Sequence, residues 1–480
     1  MSILLLSTSI ASQERLIPNW VKTDISSKGV SEAWGIAHDN QGNVFWSVSN
    51  DNRNQGLDVV AYKYDENGNA LWDAPFIYGG PGTQHAYINR YYDGNLFIGG
   101  RLCSGLINTC DMMLVKVDAT EGTLVWDRSL NFPADGYDEL DGLEFEGDII
   151  HTGGWSQAIN PDPFQSDIGL WTLDQDGNTL WTNHLGEENT AEHQDGHFAI
   201  DENYIYAAGL WGGTSVLNLY NGYSFLGKFS KEDGALIDST LFGHQSDVFL
   251  DIENALGMTS DGTHLYITGY STPLEFDEWQ LFVAKYDKDL NQIWFTDWGG
   301  TGTESARGIQ VQDGVVYIGG LTESPELTGG NKRDGLLVTF DVDGNFLSYG
   351  VWGGEKSDSF HDISVDGNMI YLTGETQDEA TPLLKESFLI AIENIISSNE
   401  KITVAEDEFN IFPNPSHGDF YFNNKSPYTF DKIVVYDATG RAIVQGNYND
   451  SSRTSSLAPG TYFVEAINEN FKVTRKLIVH

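Results

Sequence analysis

The sequence predicts an all-β chain: a seven-bladed β-propeller with N-/C-terminal strand closure, followed by a small Ig-like β-sandwich. Three observations carry this reading. Trp20, Trp72, Trp126, Trp181, Asp238, Trp294 and Leu347 recur at intervals of 52 to 57 residues, a period that indicates a repeat array or propeller. A phrase of two short apolar strands around a tight polar turn, as in ARGIQVQDGVVYIGG, occurs seven times, whereas the complete third-and-fourth-strand hairpin occurs only six times. Beyond residue 408 the repeat stops and the charge balance changes.

Taken in chain order, residues 1–13 (MSILLLSTSIASQ) read as an atypical or truncated signal peptide. Ile3 to Leu6 precede small residues with Ser9 and Ala11 placed like a cleavage site, but no Lys or Arg comes before Arg15. Residues 14–396 are the propeller. In each unit two alternating strands end in Gly, then a third such as LFVAKYD crosses a short Asp/Gly/Asn turn into a fourth that carries the Trp. The seventh third strand, SFLIAIEN, has no Trp partner, and Trp20 has no hairpin before it. The stretch around Trp20 is therefore the fourth strand of blade seven, which closes the ring and removes two open sheet edges. Two units depart from the pattern, with Asp238 in one and Leu347 or its neighbours in the other. Residues 397–407 form a linker, and 408–480 the sandwich.

Composition sets limits on function. Residues 408–480 hold 7 Lys plus Arg and 7 Asp plus Glu, so residues 1–407, with 19 and 63, carry the whole net charge of −44. Such a surface repels nucleic acid, whose binding requires cations to replace phosphate counterions. No stretch approaches the roughly 18 apolar residues of a membrane-spanning helix. Cys103 and Cys110 sit in RLCSGLINTCD without further ligands nearby, a spacing for a loop-stapling disulfide in an oxidising compartment rather than a metal site.

The phrases of residues 15–396 resemble bacterial β-propeller repeats of the form D-x-φ-V-x-K-Y-D-x-x-G-x-x-x-W, a resemblance specific for architecture and weak for activity. FNIFPNPSHGDFYF, VVYDATGRAIV, LAPGTYFVEA and the terminal KLIVH resemble the C-terminal sorting domain of type IX secretion cargo in Bacteroidetes. Pro413, Asn414, Pro415, Gly418, Gly440, Arg441 and Gly460 are the residues that carry the match. The resemblance implies export through the type IX secretion machinery to the cell surface or the medium.

Function on a rigid scaffold concentrates in long loops. Here those are residues 101–110, 156–166, 211–220, 322–333 and 377–386, all on the face opposite the tight turns. Near the pore mouth of that face fall His85, Glu139, Asp195, His197, Asp251, Glu304, Asp358 and His361. Such a ring supplies acids and bases or holds a divalent cation, Ca2+ being the one admitted; no cofactor is otherwise predicted. The D-x-D-G-N turns at Asp174 and Asp341 lack the distal Glu of an EF-hand and read as hairpin turns. Trp155, Trp211 and Trp279, beside variable loops, are the candidate surfaces for stacking on sugar rings.

Enzyme patterns fail one by one. Gly177 to Trp181 is one residue too long for a sialidase-type Asp box, one hairpin alone is like those of quinoprotein dehydrogenases, and a lyase would find mainly Arg101, Arg307 and Lys356 to neutralise a uronate. The sequence therefore favours an exported binding protein for a glycan or surface protein. The competing class is a carbohydrate-active hydrolase or lyase working through His85, Asp195, Glu304 and His361, and a third is a purely structural adhesin.

Overall fold

The computed structural model describes residues 15–26, 29–53, 56–104, 109–131, 136–156, 167–186, 191–193, 198–213, 223–243, 254–272, 278–330, 332–378, 381, 384–394, 409–416, 420–425, 430, 432–437, 442–447, 457–467 and 472–480. The expected signal peptide and linker lie outside them, as do Asp195, His197, Asp251, Gly418, Gly440 and Arg441. The chain divides into two compact units between Asn394 and Ile395.

Seven antiparallel sheets make the first unit, each four-stranded except one whose innermost strand is split into Ala191–His193 and Phe198–Ile200. The other innermost strands are Ser31–His38, Thr83–Tyr92, Glu139–Glu146, Asn254–Ser260, Glu304–Gln312 and Ser357–Asp366. In the seventh sheet Trp20–Ile25 is the outermost strand, paired with Lys385–Glu393 so that Trp20 faces Ala391. The ring is thus closed by the N-terminal strand. A single helical turn, Pro325–Thr328, is the one helix among the described residues.

The recurring Trp has a specific task. Its indole N–H donates to a backbone carbonyl in the third-to-fourth-strand turn of the following blade: Trp72 to Ala119 (3.2 Å), Trp126 to Gln175 (3.0 Å), Trp181 to Lys231 (2.9 Å) and Trp294 to Val342 (3.2 Å). Trp20 donates to Glu66 (2.8 Å), so blade seven clasps blade one in the same way. The ring lies on the turn glycine. A Cβ on Gly68 would stand 2.9 Å from the Trp20 ring and one on Gly122 2.8 Å from that of Trp72, and both glycines have positive φ, +78° and +66°. Each clasp combines a largely buried indole with a hydrogen bond, a contribution of about 2–3 kcal/mol per joint.

The two departures now have different explanations. Register places Ser348 opposite Thr339, where Trp294 stands opposite Lys285, so Ser348 rather than Leu347 occupies the Trp position of blade six. Blade seven takes its third and fourth strands from opposite ends of the chain and has no turn to receive an indole. Arg15 and Leu16 bind at the outer side of blade six instead. Leu16 N–H donates to Val351 (2.8 Å), and Arg15 hydrogen-bonds Gly353 and stands 3.9 Å from buried Asp334. In blade four Asp238 holds the Trp position, but Lys228 Nζ still reaches the next turn at Lys288 O, 2.9 Å away.

The second unit has six strands among the described residues: a hairpin, Phe409–Phe412 with Tyr421–Asn424, and a sheet in the order Ala442–Asn447, Lys432–Asp437, Gly460–Ile467, Lys472–Val479. Phe420 and Phe422 share one core with Val435, Val464 and Leu477. The P-N-P-S segment is pinned to the last strand. Asn414 donates to Lys476 O (2.7 Å) and accepts from Ile478 N–H (2.9 Å), which makes the opening and closing motifs of this unit one structure.

Candidate functional site at the loop end of the channel

In each of the six innermost strands described without interruption, pairing with the second strand slips by one residue at the same height. The extra residue of such a bulge leaves the ladder and is re-aimed. Here these residues are Trp34, Tyr87, Asp141, Leu256, Arg307 and His361. Glycine follows in four of them, Gly35, Gly142, Gly257 and Gly308, because neighbouring strands nearly touch: a Cβ on Gly257 would meet Arg307 O at 1.9 Å.

The bulge residues converge. Arg307 of blade six reaches to blade three and donates through Nη2 to Asp141 Oδ1 at 2.8 Å, with Asp141 only 2 % exposed. Its guanidinium lies 5.2 Å from the Trp34 ring centre, His361 stacks on Trp34 at 3.9 Å, and Tyr87 meets Trp34 edge-on at 6.1 Å. His361 Nδ1 lies 3.0 Å from the carbonyl of Ala33, which only accepts, so Nδ1 carries the proton and Nε2 accepts from Ser359 Oγ at 3.2 Å. Burial lowers the His361 pKa to about 3 and keeps the ring neutral.

A second tier lies two residues nearer the loops. His85 stacks over Tyr87 (5.8 Å) and stands 3.7 Å from Glu32, and burial, reinforced by Arg101 and Lys385, lowers its pKa to about 3. Lys385 bridges Glu32 (2.9 Å) and Glu375 (3.1 Å). Arg101 donates to Glu139 at 2.8 Å, Tyr137 donates to the same carboxylate at 3.0 Å, and the guanidinium lies over the rings of Tyr87 and Tyr137 at 5.4 and 4.9 Å. The tier is a connected set of aromatic rings and charge pairs spanning blades seven, one, two and three.

Glu304 and Asp358 are placed otherwise. Each stands three residues before its bulge and turns into the corner between blades. Glu304, fully buried, accepts from Thr322 (2.6 Å), Ser324 (2.5 Å) and Gly300 N–H (2.9 Å); Asp358 accepts from Thr376 and from Gly354 N–H (3.0 Å). Burial raises both pKa values. They cap Gly-Gly corners rather than line the channel.

The three tryptophans each pair with an aromatic of their own blade: Trp155 with Tyr137 (4.6 Å), Trp211 with Phe225 (5.1 Å) and Trp279 with Tyr270 (4.4 Å). Trp155 extends the Arg101–Glu139 set, Trp211 packs on the core of blade four, and Trp279, 41 % exposed, forms an open platform. Lys356 makes an exposed pair with Glu386 at 3.2 Å, away from the bulge layer. Cys103 and Cys110 face each other across a strand pair and are bonded, S–S 2.10 Å. Asp174 and Asp341 accept the backbone N–H groups and side-chain amides of their own turns, at Asn178 and Asn345, within 3.0 Å. Among the described residues no group of three or more His, Cys, Asp or Glu is gathered for a metal ion.

Residues 410–480 match the family described as "Secretion system C-terminal sorting domain". With that tail on a propeller, the chain is an exported protein, directed by type IX secretion to the cell surface or beyond it. No helix among the described residues is long and apolar enough to cross a membrane. No curated protein sequence matches the chain. Similar solved structures include a catalytically inactive virginiamycin B lyase from Staphylococcus aureus with quinupristin, 12 % identical, covering 77 % of this chain and 99 % of that one with a TM-score of 0.43. The β-propeller domain of the Trilobed protease from Pyrococcus furiosus is 11 % identical over 78 % of this chain and 98 % of its own, TM-score 0.41. Pyrococcus horikoshii acylaminoacyl peptidase is 11 % identical over 72 % and 50 %, TM-score 0.40. Values this low say nothing of activity.

Proposed function

We propose that this exported propeller is a non-catalytic glycan-binding protein that receives its ligand at the loop end of the channel. The observation that supports the reading is the state of the carboxylates. Glu32, Glu139, Asp141 and Glu375 are each held by a cation, and Glu304 and Asp358 are consumed in blade corners. Paired charges fixed beside stacked aromatic faces offer oriented donors and acceptors to sugar hydroxyls and flat apolar faces to sugar rings, at little ordering cost. A carboxylate already held by a cation or capping a corner is a poor match for the free acid and base that glycosidases use.

One observation favours the carbohydrate-active enzyme as a second reading. His361 and His85 are neutral imidazoles near Arg307 and Arg101 at the channel mouth, each with a free-base nitrogen, although a pKa lowered to about 3 makes both weak bases. A polysaccharide array probed with the full-length chain, with and without EDTA, separates the readings when the same mixtures are assayed for reducing ends and unsaturated products. Binding without product is expected. Trp279→Ala is expected to weaken it at least tenfold while leaving thermal stability unchanged within about 0.5 kcal/mol, as suits a half-exposed ring. Product release that disappears in His361→Ala would install the enzyme reading, and EDTA-sensitive binding would place calcium in the site.

A further inference from the structure

The channel has a second space at its other end. Beyond the Arg307–Asp141 layer, towards the first-to-second-strand turns, it widens into a cavity of about 490 Å3 lined by residues of all seven blades. That volume is in the range of sites for small molecules. Ile36, Phe198, Met258, Ile309 and Ile363 supply an apolar collar. Two carboxylates join it. Glu144 stands 3.5 Å from Arg90, both partly open, and Asp362 is buried in the wall, accepting from Ile36 N–H (3.2 Å) and Ile363 N–H (2.8 Å). His38 Nδ1 is held by Ser364 Oγ at 2.6 Å, and burial keeps its pKa below the ordinary value, so it adds no charge near neutrality. Arg90 is then the one cation in the lining against two carboxyl groups, and burial keeps Asp362 protonated up to about pH 7, so that Asp362 ionises as a cation enters.

The approach to this cavity is also acidic, and for a sequence reason. All seven first-to-second-strand turns carry an Asp: Asp39, Asp93, Asp148, Asp201, Asp261, Asp313 and Asp366. Each is there because its carboxylate or backbone suits a tight turn, as where Asp39 accepts from Gln41 and Asn43. Repetition around a ring aims their summed field along the channel axis, and low-dielectric walls focus it. Lys231 and Lys288 offset part of it.

We propose that the turn-end cavity binds a small organic cation, an alkylammonium or diamine, with Asp362 and Glu144 as counter-ions and the methylenes against Ile36, Met258 and Ile309. A bare metal ion fits the lining less well, since among the described residues no third His, Cys, Asp or Glu gathers with the two carboxylates. The site is separate from the loop-end glycan site and stands or falls without it.

Titration calorimetry of the full-length chain at 0.15 M salt with 1,4-diaminobutane, with 1,4-butanediol of the same shape, and with Ca2+ tests this. One saturable diamine site is expected, with no heat from the diol. Asp362→Asn and Glu144→Gln are each expected to weaken the diamine at least tenfold, whereas Arg90→Gln, by removing a like charge, tightens it severalfold. The opposite sign for Arg90 separates a cation site from a wall that merely collapses. Equal binding of diol and diamine, displacement of the diamine by equimolar Ca2+, or binding indifferent to both carboxylate changes would overturn the proposal, the last by assigning the heat to the −44 surface. If Asp362→Asn does not fold by near-ultraviolet circular dichroism, Glu144→Gln and Arg90→Gln, at the open part of the wall, still decide it.

Discussion

The two ends of the channel are made by the same seven strands, yet one is filled and the other open. At the loop end the bulge turns Trp34, Tyr87, Asp141, Arg307 and His361 inward, where the rings stack and Arg307 pairs with Asp141. Two residues further along, the strands return to regular pairing, isoleucines and small polar residues face the axis, and a cavity remains. A one-residue irregularity repeated by symmetry therefore decides where the channel is solid. It also decides which charge state each end needs, because the filled end buries neutral imidazoles and the open end a carboxylic acid.

Breaking the layer between the two ends has the largest expected effect. Arg307→Ala leaves Asp141 buried without its cation, and removal of one partner from such a pair costs about 3 kcal/mol or more. Urea unfolding followed by tryptophan fluorescence is expected to show that loss, with most of it recovered in the Arg307→Met, Asp141→Asn double variant. Equal stability of Arg307→Ala and the parent would mean that the pair is exchanged for water at no cost and that the channel is not sealed.

How much of this is legible in the sequence follows from the same bulge. The closing role of Trp20 can be read because the clasp repeats with the blade and the unpaired hairpin strand can be counted. His85 and His361 were accessible to sequence reasoning as titratable groups at strand starts, but Glu304 and Asp358 look identical by that criterion. Three residues of displacement turn those two into the blade corners. Trp34, Tyr87 and Asp141 gave no signal, since an aromatic or acidic residue in an apolar strand reads as alternation until the register slip is known. Lys385, which bridges two carboxylates at the pore mouth, hides at the start of an ordinary third strand. The turn-end cavity has no mark in the sequence, because ordinary strand residues such as Ile36, Ile309 and Ile363 line it beside tight turns.

Asp362 sharpens the comparison at somewhat smaller cost. Burial raises its pKa to about 7, so the folded chain holds a proton there that the unfolded chain, with an ordinary carboxylate near 4, has already released. The folded state then binds more protons between about pH 4 and 7, and stability falls as pH rises through that window. Between pH 5 and 8 the loss from this group alone is about 2–3 kcal/mol. In Asp362→Asn, which has no proton to lose, the stability curve measured by urea titration at several pH values is expected to lose that downward slope; an unchanged slope would show the carboxylate to be solvated through the cavity.

His361 has the opposite sign and a smaller effect. Its folded pKa of about 3 lies below the ordinary 6.5, so the unfolded chain binds the extra proton and stability falls as pH drops from about 6.5 towards 3. Between pH 7 and 5 this amounts to about 1–2 kcal/mol, discounted for the ring's partial exposure. The two ends therefore oppose each other in the same window, and because His85, also lowered to about 3, adds to the loss at the loop end, the parent protein is expected to weaken on acidification between pH 7 and 5. His361→Phe keeps the stack on Trp34 and removes the titration, so the variant should gain stability relative to the parent as pH falls. Asp362→Asn should do the reverse and weaken more steeply than the parent on acidification. A parent curve that tilts strongly on its own, with neither variant changing it, would mean that the groups governing its pH response lie in the acidic turns rather than in the channel.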